Sequence, residues 1–187
     1  MKINLNEMGC FLNWQQGIGY QLQFVKHQKG WFGRQTPMYK LELLRDHPLQ
    51  FRQVNGWILM PSDGIPTDMG TVKPIIAQYW IPKDRFILAF IFHDAIYSTG
   101  GCWVKQPGHH WEWMELSRSE ADALLMLMCI CDPVSCGWWK PRVVWAGVRV
   151  GGWMGWRGNE NAGSNPNGWW EKPDVDPAGS YGGGDHY

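Results

Sequence analysis

Residues 90–101 read FIFHDAIYSTGG. As far as Ile96 the stretch is apolar apart from the adjacent pair His93-Asp94, and Tyr97 stands one helical turn beyond His93. It belongs to a longer run, residues 79–101, in which Phe86, Ala89, Phe90 and His93 recur at helical spacing. Asp84 is a candidate N-cap, and Gly100-Gly101 ends the pattern. The spacing predicts a helix over about 85–98. Two titratable groups and a phenol on so apolar a helix ask for a reason, either structural or chemical.

The pattern can be read outward in both directions. Downstream, residues 99–116 are rich in Trp, His and Gly and read as a loop. Ser117-Arg118-Ser119-Glu120 then spells a capping box, a hydroxyl at the cap with a carboxylate three residues on, and ADALLMLMCI follows at once. This predicts a second helix over about 118–131, stopped by Asp132-Pro133. A third helix, about 140–154, is expected from KPRVVWAGVRVGGWMGW, although its glycines lower helix propensity. Upstream, residues 62–74 are dense in Gly, Pro, Asp and Thr and read as a loop. MYKLELL and LQFRQV alternate apolar and polar residues, with His47-Pro48 as the turn between them, and VNGW gives a hairpin signal before WILMP. Residues 38–61 therefore read as a small antiparallel meander. The fold class expected is α+β: the meander, then a three-helix subdomain. Residues 1–36 read as a loosely structured arm, 37–156 as one domain, and 157–187 as an extended tail of Gly, Asn, Pro and Asp that cannot build a core.

Composition narrows the classes of function. The 187 residues carry 17 Lys+Arg against 17 Asp+Glu, so the basic excess of a general nucleic-acid binder is missing and no nucleic-acid partner is expected. Fourteen Trp exceed ordinary usage, which fits either core packing or a protein built to dock onto others. Cys129, Cys131 and Cys136 have the look of a metal knuckle but lack a placed fourth ligand, so reduced thiols are expected. No run approaches the length of a membrane span, and the N-terminus shows no signal-peptide apolar core. A soluble protein made in a reducing cytoplasm is expected.

The candidate site follows from helix geometry. His93 and Tyr97, four apart, share a face, while Asp94 is turned about 100° away. Asp122 is expected in the first turn of the second helix, where the helix dipole favours a carboxylate, and antiparallel packing would bring it to His93. A carboxylate beside an imidazole fixes its tautomer and makes a base able to activate water, with Tyr97 steadying the carboxylate. Asp94 could meet a divalent cation, calcium for instance, together with oxygens of the loop that holds Asp68. Bland readings stand beside these. A lone His on an apolar face is commonly a satisfied core histidine, and Asp68 in a Pro/Gly loop is commonly an Asx-turn former. Asp94 and Asp122 could be caps or partners of Arg85 or Arg118. His109-His110 beside Trp111 reads as a contact surface.

Taken in order, these residues resemble a known family. Gly64, Thr67, Asp68 and Thr71 form G-x-x-T-D-x-x-[ST]; His93, Asp94 and Tyr97 form H-D-x-x-Y; Arg118, Ala121 and Asp122 form R-x-x-A-D; VWAGVRVGG follows at 144–152. The set resembles an uncharacterised family of small proteins of tailed bacteriophages and prophages, over roughly residues 38–156. Gly70 stands where that family has a small Ala and Thr71 where it has Ser, while residues 102–116 and the tail are extra. The resemblance implies a virion protein, made in the host cytoplasm, that docks onto other virion proteins as a tail or tail-tip component. H-D-x-x-Y followed by a helix bearing A-D also resembles the core of phospholipases of the A-two type. That likeness implies His93 as base, Asp94 as calcium ligand and Asp122 as the orienting group, acting on a membrane or cell-wall substrate. Residues 62–70 do not reproduce the calcium loop of those enzymes.

Overall fold

The computed structural model describes residues 13–14, 20–29, 35–43, 49–53, 55–67, 86–131 and 139–151. Within them the chain is α+β, with antiparallel strands in two sheets and three helices. The strands are β1 (Asn13–Trp14), β2 (Tyr20–Lys29), β3 (Gln35–Leu43), β4 (Phe51–Arg52), β5 (Ile58–Met60), β6 (Pro66–Thr67), β7 (Gly101–Lys105) and β8 (Trp111–Glu115). The helices are α1 (Ile87–Thr99), α2 (Arg118–Ile130) and α3 (Lys140–Gly151). Of the expected features, Asp68, Thr71, Asp84, Arg85, the Asp132-Pro133 stop, Cys136 and the tail 157–187 lie outside the described residues.

The expected meander is split between the two sheets. β4 and β5 pair as read, joined by a turn in which Asn55 Oδ1 accepts from Trp57 N at 3.1 Å and Gly56 takes φ 84°. That positive φ is why glycine follows Asn55. β3, however, joins the second sheet, ordered β2-β3-β6, while the first runs β1-β4-β5-β7-β8. Its partner is β2, inside the segment read as a loose arm: Leu22 faces Leu41 and Phe24 faces Tyr39. A bulge between Phe24 and Lys26 shifts the register.

Residues 99–116 correct the loop reading: they hold the β7–β8 hairpin. Cys102, Val104 and Met114 point to the core by strand alternation, and Trp103 stands opposite Trp113 on the other face. The turn is Gln106-Pro107-Gly108-His109, closed by His109 N donating to Gln106 O at 3.0 Å, with Gly108 at φ 74°. Proline followed by a positive-φ glycine is the signature of a type II turn.

Helix α1 is buried on nearly every side. Ala89, Phe90, Ile91, Phe92, His93, Ala95, Ile96, Tyr97 and Thr99 are all inside, as expected of a helix apolar all round. Its first turn follows Phe86, which makes no side-chain cap; its last closes on Gly100 in the left-handed region, Gly100 N donating to Ile96 O at 2.7 Å. One hydrophobic cluster holds Leu41 of β3, Phe51 of β4, Leu59 of β5, Phe92 of α1 and Leu124 of α2. Phe51 and Phe92 meet edge to face at 6.5 Å.

Helix α2 opens with the expected capping box. Ser117 N donates to Glu120 Oε2 at 2.7 Å and Glu120 N to Ser117 Oγ at 3.3 Å. Leu116 N donates to Gly100 O at 2.8 Å, so α2 starts beside the end of α1. No helix among the described residues is long and apolar enough to cross a membrane.

Candidate functional site: a buried carboxylate joining three helices

His93 and Tyr97, one turn apart on α1, both reach Asp122 on α2. His93 Nε2 lies 3.1 Å from Asp122 Oδ1, and the Tyr97 hydroxyl donates to the same oxygen. The two α1 rings stack at 4.0 Å between centroids, tilted by 39°. The sequence thus brings together the three residues expected to meet.

The other carboxylate oxygen faces arginines. Arg149 Nη1 of α3 donates to Asp122 Oδ2 at 3.0 Å, and Arg118 Nε, one turn before Asp122, is 3.8 Å away. Arg118 also donates to the carbonyl oxygens of Val148 and Arg149, at 3.2 and 2.5 Å, which fastens α2 to α3. Asp122 therefore connects all three helices. Its place differs from expectation in one respect: Glu120 is the acid in the first turn of α2, and Asp122 sits past it. The arginines and hydrogen bonds, rather than the helix dipole, hold its charge.

Burial sets the protonation states. Asp122 is fully buried, His93 is 5% exposed and Tyr97 7%. Burial would raise the pKa of Asp122, but hydrogen bonds from His93, Tyr97 and Arg149 outweigh it and leave the carboxyl below its usual range. For His93, burial lowers the pKa, and the attraction of Asp122 only partly offsets this. The arginines near Asp122 spend much of its charge, so a neutral imidazole is consistent. Burial and the bond to Asp122 push the Tyr97 phenol up, so it stays protonated. An ionised Asp122 requires the proton of neutral His93 on Nε2, which leaves Nδ1 as an acceptor.

Asp94 points elsewhere. Its Oδ2 accepts from Thr67 Oγ1 of β6 at 2.6 Å, tying α1 to the second sheet. Asp68, the other expected cation ligand, lies outside the described residues. Calcium asks for six to eight oxygens. Among the described residues no three His, Cys, Asp or Glu side chains are grouped to hold a metal ion. Cys102 is a buried free thiol, Cys129 is buried and Cys131 is half-buried. His109 and His110 border an open cleft with Trp57, Val104 and Glu112.

Arg149 is the member that sequence reasoning missed. Its signal was faint: a single cation near the end of α3, a helix with no acid of its own to pair with it. Arg118 was anticipated as a candidate ion-pair partner, and the structure places it one turn before Asp122. Neither a protein-family model, nor a curated protein, nor a solved structure matches the chain.

Proposed function

We propose that this is a bacteriophage virion-associated protein, a tail or tail-tip component that docks onto other virion proteins. One contrast carries the reading: His93, Tyr97 and Asp122 are closed off inside, while large apolar side chains face solvent. Phe24 is 51% and Val25 40% exposed, on a ten-residue strand at the end of its sheet. Among the described residues β2 is the outer strand of its sheet, the position at which a partner's strand can be added. The ordered phage-family motifs supply the setting. The test is to purify particles and detect the protein in them by mass spectrometry. It should co-purify in fixed proportion, and Phe24→Asp should lower its incorporation. Particles that contain none of it refute the reading.

A second reading is favoured by the His93–Asp122 contact at 3.1 Å. It is a phage-encoded hydrolase, acting on lipid or cell-wall bonds, with His93 as general base and Asp122 orienting it. A neutral imidazole holding its proton on Nε2 has Nδ1 available to take a proton from water. Loss of hydrolysis in a folded His93→Gln variant supports it; unchanged turnover in that variant refutes it.

A further inference from the structure

We propose that the outward face of α3 docks on an anionic lipid surface. This goes beyond the function proposed above and rests on different residues. Helix α3 is apolar on two opposite sides. Pro141, Val144 and Val148 turn inward, Val144 being 3% exposed. Trp139, Val143, Ala146 and Val150 turn outward, spaced by four, three and four residues, which at about 100° per residue aligns them in one stripe. Trp139 belongs to the stripe because its carbonyl accepts from Val143 N at 3.1 Å, closing the first turn. Of the outward side chains, Trp139 is 36%, Val143 43% and Val150 79% exposed. A single exposed apolar residue needs no explanation, but an aligned run does.

Charge selects the occupant. The charged residues of α3 are Lys140, Arg142 and Arg149, all cationic, and residues 139–151 contain no Asp or Glu. Arg149 reaches Asp122 on the inner side of the helix, and Arg142 is exposed beside the stripe. Lys140 Nζ lies 5.7 Å from the Trp139 ring centroid, holding cation and indole together. A second copy brought face to face would set Arg142 against Arg142. A convex helix carrying Trp, aliphatic side chains and cations, without an acid, suits the boundary between anionic headgroups and acyl chains. Indoles prefer that depth, and each nearby cation is attracted to the headgroups.

The test uses the full chain and co-sedimentation with vesicles of phosphatidylcholine, alone or with about one third phosphatidylglycerol, a charge density that attracts basic surface helices. The chain should bind the mixed vesicles, bind phosphatidylcholine poorly, and lose binding as salt is raised. Val150→Asp should weaken binding about tenfold by removing an anchor and adding a repelled charge. At a site so exposed the melting temperature should not move, and Val150→Leu should bind at least as well as the parent. Unchanged binding by Val150→Asp overturns the proposal, as does absence of binding to either vesicle. So does a dimer in sedimentation equilibrium that Val150→Asp dissolves, since a second copy would then cover the face.

Discussion

Replacing Asp122 tests whether one carboxylate holds the helices together. Asp122→Ala removes the acceptor of two buried donors, His93 Nε2–H and the Tyr97 hydroxyl. Each buried donor left unpaired costs about 1–3 kcal/mol. Arg149 and Arg118 also lose their anion, but their side chains are 39% and 23% exposed and can turn to water, so they add little. The expected loss is about 4 kcal/mol, in line with removing one partner of a buried ion pair. For a chain of this size that is a fall of about 12 °C in melting temperature. Asp122→Asn keeps the shape and one acceptor oxygen, but sets an amide donor against Arg149, and should cost about 2 kcal/mol. The assay is urea unfolding followed by circular dichroism at pH 7.5, both variants beside the parent. If Asp122→Asn lies within about 0.5 kcal/mol of the parent, the charge of this carboxylate does not stabilise the fold and the reasoning fails.

Two other perturbations bear on the same frame. The lowered pKa of His93 means that the unfolded chain takes up a proton near its ordinary value of 6.5 before the folded one does, so stability should drop as pH falls below that value. The lowered pKa of Asp122 adds a further loss below its ordinary 3.8, and His93→Gln should flatten the upper part of the acid limb but leave the lower part. Melting temperatures between pH 8 and about pH 2 check both. Gly101→Ala would set a methyl 2.3 Å from Met114 O and 2.8 Å from the Trp113 ring. Overpacking of this kind should cost about 1–3 kcal/mol in denaturant unfolding, and a neutral result would mean that β7 and β8 are not so tightly apposed.

The helices were legible in the sequence because their signals are local. The capping box at Ser117–Glu120 and the glycine stop after Thr99 each sit within one turn of the structure they specify. The meeting of His93, Tyr97 and Asp122 followed from spacing on one helix and from antiparallel packing of the next. The strands were harder, since pairing is decided by distant partners. Nothing local in MYKLELL says that its neighbour is Tyr20–Lys29 rather than Phe51–Arg52. The β7–β8 hairpin did have a local signal, Pro107-Gly108 between alternating Trp, Val and Met residues, hidden by a composition that resembles a loop. Arg149 could not be found by pattern, because its partner lies 27 residues earlier on another helix.

The strand order of the larger sheet has a consequence for biosynthesis. β5 lies between β4 and β7, yet β7 is made only after α1. A chain emerging from the ribosome therefore completes the β4–β5 hairpin with Leu59 and Met60 in place and one backbone edge still waiting. That edge must stay unpaired while all of α1 is translated, an interval in which neighbouring nascent chains compete for it. Translation pauses that lengthen the interval should raise aggregation, and pauses placed after β8 should not.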